Sequence, residues 1–295
     1  MKRMSVRLGV VFAVAVLGGC ATLGQTGAQS SSSKRDSVSR GDQTLSGSYL
    51  AGNYAAAVGD LDTAQEFYVG TLKADPDNDD LLARAFLFAA TAGELSDASD
   101  LAARLVEKQP DNRGARLLRA VNAVHDKDYD RASDEVTKGS AGPFTSLTNA
   151  GLIAWLRAGK GDTAASLQAL SFLATQQGVQ GLYLFHKALL LDYADSKDAD
   201  AAYQEAVTAL GTSARLVEAY GRYLERHNRV ADARKLYQRA VADNPDQPTP
   251  AAALKRAGSG RMPDKLVATP AQGVAESLFG IAASLTERQI GRAHV

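Results

Sequence analysis

Cysteine is almost absent. The chain has one, Cys20, among 295 residues, which excludes an internal disulfide framework and any cysteine-based zinc site. An excess of either charge is absent too. Lys plus Arg number 33 and Asp plus Glu number 33, so nothing in the charge balance would hold nucleic acid. Aromatic residues make up only 6%, against the usage that fills the strands of a sandwich or barrel. The apolar stretch near the N-terminus, Leu8 to Leu17, is ten residues long. As a helix it rises about 15 Å, too little for a hydrocarbon core of roughly 30 Å. Alanine, by contrast, is abundant, with 53 residues, and hydrophobic residues reach 45%. That composition favours closely packed helices and supplies enough apolar material for a core. At roughly 150 residues per domain the length suggests about two domains or one elongated array.

Lys2, Arg3 and Arg7 precede the apolar stretch, and Leu17-Gly18-Gly19-Cys20 follows it. Basic residues, a short apolar segment and a small-residue site form a secretory signal over residues 1–19. The ending resembles the lipobox of bacterial lipoproteins. The resemblance implies that Cys20 is lipidated and becomes the first residue after cleavage. Each buried methylene of an acyl chain contributes about 0.8 kcal/mol, and two or three chains make a lasting anchor. The next residue is Ala21, not Asp. By resemblance to the enterobacterial sorting rule this directs the protein to the outer membrane, facing the periplasm. Loss of residues 1–19 leaves 30 basic and 33 acidic residues, a net charge of −3, so charge would not draw it to anionic lipid. Residues 20–44 contain Ser30 to Ser33 and almost no large apolar side chain. They are expected to form a disordered tether reaching about 25–30 Å.

Pro76 and Pro110 stand 34 residues apart, each at the end of a helical pattern, and Pro245 closes a third copy of the same signature. This period resembles the tetratricopeptide repeat, a pair of antiparallel helices per unit. Placing proline at position 32 puts Gly52, Gly59, Ala64 and Tyr68 at positions 8, 15, 20 and 24 of a unit over 45–78. Phe86, Gly93 and Ala98 take positions 8, 15 and 20 of 79–112. Gly221, Ala233, Tyr237 and Ala240 take positions 8, 20, 24 and 27 of 214–247. The units 113–144, 145–178 and 180–213 are weaker. Gly159 is assigned to position 15 of the second of these, and Lys187 occupies the normally small position 8 of the third. The resemblance implies an all-α, right-handed solenoid of six stacked helix pairs. Small residues at positions 8 and 20 would let the two helices approach within about 8 Å, with the aromatic at 24 filling the gap between units. A lone hairpin cannot bury its apolar face, so units must stack.

Residues 248–269 read as a loop region around a short helical stretch, Ala251 to Ala257. Pro270 to Gln289 then spaces Val274, Leu278, Ile281 and Leu285 as one helix face. This segment is expected to be the first helix of a further, truncated repeat, with its apolar stripe lacking a partner. Residues 290–295, Ile-Gly-Arg-Ala-His-Val, resemble read-through of sequencing adapter. The expectation is that the native chain departs from them near Ile290 and continues with more repeats.

No catalytic, cofactor or metal site is expected. His125, His186 and His227 are not paired with ligands at helical spacing. Gly159-Lys160-Gly161-Asp162-Thr163 lacks the full phosphate-loop pattern and reads as a turn. The acidic runs 75–80 and 195–200 read as turns and helix N-termini. A binding surface remains. In the repeat family, positions 2, 5, 9, 12 and 13 of the first helix face ligands. Carried over, they give Tyr49 and Asn53, Asn149, and then Arg215, Glu218, Arg222, Glu225 and Arg226 as candidate partner-binding residues. The last row reads equally as a solvated face with pairs such as Glu218–Arg222. Tyr49 stands where the carboxylate clamp of this family needs Lys, so that clamp is not expected.

The resulting expectation is a non-catalytic scaffold, lipid-anchored in the outer membrane on its periplasmic face. Its partner would be a periplasmic or envelope protein or peptide, such as a processing protease or an assembly factor, with no nucleic acid and no small-molecule substrate. The alternative is a targeting or regulatory portion of a larger envelope enzyme or polymer-export accessory protein.

Overall fold

The structure is a computed structural model that describes residues 44–293; the backbone alone is described at 143–144 and from 285 onward. The signal segment, Cys20 and the tether up to residue 43 lie outside the described residues, as do residues 294 and 295. Among the described residues there are fourteen α-helices and no strand. They fall into two compact bodies, one ending at Pro110 and the other beginning at Asp111.

The N-terminal body comprises α1 (Leu45–Ala57), α2 (Leu61–Ala74), α3 (Asp79–Ala92) and α4 (Leu95–Lys108). Each helix packs on its sequence neighbour. The C-terminal body continues the pattern in three full pairs. They are α5 (Arg113–His125) with α6 (Tyr129–Lys138), α7 (Pro143–Gly159) with α8 (Thr163–Ala174), and α9 (Gln180–Tyr193) with α10 (Ala199–Leu210). A fourth pair is α11 (Ala214–Arg226) with α12 (Val230–Asp243), followed by α13 (Pro248–Gly258) and α14 (Pro270–Ala293).

One backbone feature recurs at every hairpin. The residues with positive φ that follow the first helices are Gly59, Gly93, Lys127, Gly161, Asp195 and Asn228. They are spaced by 34 four times and then by 33. A left-handed residue ends one helix and lets the chain turn back into the next. Glycine adopts this conformation without penalty, whereas for other L-residues it costs about 1–2 kcal/mol, least for Asn and Asp. In the 143–174 pair the reversal falls on Gly161, two residues beyond Gly159. Gly159 is still helical and lies under the ring of Tyr129, where a Cβ would come within 2.7 Å. Side-chain caps start the next helices. Asp60, Asp128 and Asp162 accept from Thr63, Arg131 and Ala165 N–H, while Asn78 and Asn112 accept from Leu81 and Ala115 N–H.

The small residue at position 8 faces the aromatic at position 24. A Cβ on Gly52 would lie 3.3 Å from the Tyr68 ring, and one on Gly221 would lie 2.2 Å from Tyr237. The tyrosine thus lies against bare backbone of its own pair, and Tyr68, Tyr203 and Tyr237 are fully buried. Where position 8 is Lys187, the lysine instead extends to Glu205 on α10, at 2.7 Å.

The C-terminal segment departs from expectation in two ways. First, α13 starts at Pro248 and not at Ala251. Proline at a first helical position loses no hydrogen bond, and α13 packs on α11 and α12. Second, α14 is not left without a partner. It folds back over α7 and touches α5 and α9, the first helices of three successive pairs. Its start is a capping box: Thr269 Oγ accepts from Gln272 N–H, and Gln272 Oε1 accepts from the N–H groups of Ala268 and Thr269. Val274 and Ile281 are buried.

Gly221→Val is expected to force the Tyr237 ring out of place and lower unfolding stability by about 1–3 kcal/mol. Gly93→Ala meets no neighbouring atom, so only the left-handed backbone penalises it, by about 1–2 kcal/mol. Chemical denaturation of both variants checks the order.

Candidate functional site

The candidate binding residues fall in three places. In the N-terminal body, Asn53 on α1 accepts a hydrogen bond from the Tyr68 hydroxyl at 2.8 Å. Half-buried Tyr49 meets the Tyr68 ring edge-on at 6.0 Å. Arg84 of α3 lies over both rings, 5.5 Å from Tyr49 and 5.8 Å from Tyr68. Tyr68 in turn stacks on Phe88 at 4.9 Å. The group offers an exposed guanidinium beside the half-buried Tyr49 ring, a combination suited to gripping a polypeptide. The repeat register pointed to Tyr49 and Asn53 but not to Arg84, which sits at position 6 of the next unit.

Asn149 lies in a second place, a cavity of about 250 Å³ between α5, α6 and α7. Its amide donates to the Val136 carbonyl at 3.2 Å. Beside it Arg116 and Arg119 close on one carboxylate, Glu135, at 2.6 and 2.7 Å. Glu135 is 5% exposed. Burial alone would raise its pKa, but hydrogen bonds from Arg119 and Arg116 outweigh burial and hold it below the ordinary value. Arg113, Thr145 and Thr148 complete the polar lining, and Leu117 and Val136 the apolar wall. The lining holds two guanidiniums, Arg113 and Arg116, against the one carboxylate of Glu135, so it is cationic. The position-5 rule found Asn149 and missed this cluster, because Glu135 belongs to a second helix.

The third place is α11. Its charged row is taken up within the chain. Glu276 of α14 receives Arg215 through two nitrogens, at 2.9 and 2.5 Å. Arg215 also reaches Glu218 at 3.1 Å, and Glu218 pairs with Arg222 at 2.5 Å, the expected i,i+4 contact. Glu225 is 3% exposed. It accepts from the Tyr237 hydroxyl and from Arg256, both at 2.7 Å. Arg226 grips Asp192 of α9 at 2.6 and 2.7 Å. The Glu218–Arg222 pair is as expected, but Glu225 and Arg226 do not face solvent: α12 and α13 hold Glu225, and α9 of the preceding pair holds Arg226. Asp192 is a hub that sequence reasoning missed. It also accepts from the Tyr203 hydroxyl, and its carbonyl accepts from Lys265.

Of the histidines, His186 is wholly buried on α9, and its Nδ1 accepts from Trp155 Nε1 at 3.0 Å. Burial depresses its pKa to about 3, so the ring is neutral with its proton on Nε2. His125 pairs with Asp126 at the surface, and His227 stacks on Tyr223 at 4.0 Å. Among the described residues no group of His, Cys, Asp and Glu could hold a metal ion, and no helix is long and apolar enough to cross a membrane.

Comparison with known proteins agrees with this architecture. Residues 55–121 match the family of tetratricopeptide repeats. No curated protein matches the chain. A solved tetratricopeptide repeat protein from Parabacteroides merdae is 14% identical, with a TM-score of 0.53 over 81% of this chain and 98% of that one. This likeness establishes the shared fold: all-α, with paired helices stacked as in tetratricopeptide repeats. A chain of the APC/C hetero-tetramer Cut9-Hcn1 is 14% identical, with a TM-score of 0.46. The match takes 72% of this chain and spans 43% of that one. A thermophilic TPR protein from Thermus thermophilus is 16% identical, with a TM-score of 0.31 over 74% of this chain and 98% of that one.

Glu135→Ala leaves two guanidiniums facing each other and is expected to cost about 3–5 kcal/mol in urea unfolding. His186 sets a pH dependence. Its pKa is lower folded than unfolded, so between about 6.5 and 3 the unfolded chain binds the extra proton. Stability is full above pH 6.5 and falls as the pH drops through that window. Between about pH 6.5 and 5, above the carboxylate range, His186→Gln should flatten this fall.

Proposed function

We propose that the protein is a non-catalytic scaffold, held at the periplasmic face of the outer membrane by lipid on Cys20, that recruits a periplasmic or envelope protein through its helix pairs. The observation that carries the scaffold reading is the seat of α14. The first helices of three successive pairs receive an amphipathic helix against them. The site therefore matches the helix-in-groove mode of peptide recognition. The fold points the same way, since stacked pairs offer an extended surface and little enclosed space for chemistry. The anchor is supported by Leu17-Gly18-Gly19-Cys20 and by the serine-rich segment that follows. Recruitment then acts by raising the partner's local concentration at the membrane, with no bond made or broken. In the N-terminal body, Tyr49, Asn53 and Arg84 are the residues proposed to meet that partner.

Two measurements test this reading. Labelling with an alkyne fatty acid in a Gram-negative host should mark the protein, and Cys20→Ser should abolish both the label and outer-membrane fractionation. A photo-crosslinking residue at Tyr49 should capture an envelope protein, and one at exposed Lys235 on α12 should not. Equal capture at both positions, or none at either, counts against the scaffold.

A further inference from the structure

Helix α14 meets α7 through side chains that are nearly absent. A Cβ on Gly273 would lie 2.0 Å from the Trp155 ring, which is itself fully buried and cannot yield. Four residues on, the Ser277 side chain lies on Gly151 of α7, where a Cβ would come within 1.9 Å of its hydroxyl. Three residues further, a Cβ on Gly280 would lie 2.5 Å from Leu182 of α9. Gly273, Ser277 and Gly280 thus line one face at i, i+4 and i+7, flanked by buried Val274 and Ile281. At the edge of that face, buried Glu276 meets Arg215 of α11.

The seat is specific but not saturated. The Ser277 hydroxyl is buried and has no protein hydrogen-bond partner, and neither has Nε2 of His186. Leaving the Ser277 hydroxyl unpaired disfavours the closed arrangement. Small residues bury little apolar area apiece, and the outer side of α14 shows Phe279 at 66% exposure. The helix is joined to α13 by residues 259–269, a non-helical connection long enough to let α14 leave while α13 stays packed. Lys265 pins that connection to the carbonyls of Asp192 and Tyr193 and to the Asp195 carboxylate.

We propose that α14 is a reversible occupant of the face formed by α5, α7 and α9, and that the partner taken there is a helix of the same chemistry. Such a helix carries a glycine for Trp155, small residues four and seven positions on, aliphatic residues beside the first and last of these, and a carboxylate for Arg215. The proposal rests on the scaffold reading and adds that this face is occluded until α14 leaves. The partner competes with α14 for one seat, so its apparent affinity falls by the fraction of molecules in which α14 is closed.

The test uses the full chain and a fluorescent synthetic peptide of residues 268–284. Wild-type protein should bind the peptide weakly. Gly273→Val, whose own α14 cannot seat against Trp155, should bind it at least about tenfold more tightly. A peptide carrying Gly273→Val or Glu276→Lys should bind neither. Arg215→Glu opens the same seat through a half-exposed side chain, and Glu276→Arg in the same chain should close it again. In hydrogen exchange, residues 262–284 should open in both opened variants while α7 stays protected. Peptide binding by Gly273→Val no tighter than by wild type overturns the proposal. So does exchange in α14 that occurs only together with α7, because α14 would then be a permanent part of the core. Partner crosslinked from a photo-reactive residue at Leu182, inside the seat, and recovered equally from wild type and from Gly273→Val overturns occlusion yet leaves the scaffold standing. Peptide exchange without any captured partner has the opposite meaning.

Discussion

A helix pair must reverse direction within two to five residues, and an L-amino acid resists the backbone conformation that does this. The chain meets that constraint at Gly59, Gly93, Lys127, Gly161, Asp195 and Asn228. Because the reversal recurs at a nearly constant interval, successive first helices are of similar length and present equivalent faces. From that regularity follow the stacking of pairs, the placement of tyrosine rings against bare backbone, and the shared face on which α14 rests. Three of the six positions are not glycine, so packing elsewhere in the array must offset the strain of those turns.

Charge is arranged by the same geometry. Acidic and basic residues are balanced over the chain, and in the C-terminal body many of them are drawn inside. Glu135 gathers Arg116 and Arg119, Asp192 gathers Arg226, and Glu225 gathers Arg256. Each of these clusters joins separate helices, and a buried charge left without its partner would cost several kcal/mol. They hold neighbouring helices in one register. Polar surface for a partner is left at the cationic cavity beside Asn149 and, in the N-terminal body, at Arg84 above Tyr49.

Much of the repeat architecture could be read directly from residue types. Proline at position 32, glycine at 15 and tyrosine at 24 each answer a local demand of turn or packing, so they show in the sequence. In the 145–178 unit Gly159 fits the rule for a turn but is helical, because Tyr129 lies across it and the free-standing Gly161 is two residues away. The capping box at Thr269 and Gln272 announces the start of α14, yet nothing in its periodicity tells which surface will receive it. Candidate residues chosen by register fared in the same way. Asn53 and Asn149 reach neighbouring polar groups, whereas Glu225 and Arg226 are drawn inward by helices whose approach no spacing rule encodes.

By itself the sequence determined the helical class, the period and most of the turns, since all of these depend on neighbours within a few residues or on composition. Only the tertiary structure decided where charges found partners and what covered the face of α5, α7 and α9. Those outcomes depend on contacts between residues far apart in the chain, such as Arg215 with Glu276, and on whether one helix offers glycine where another offers a ring.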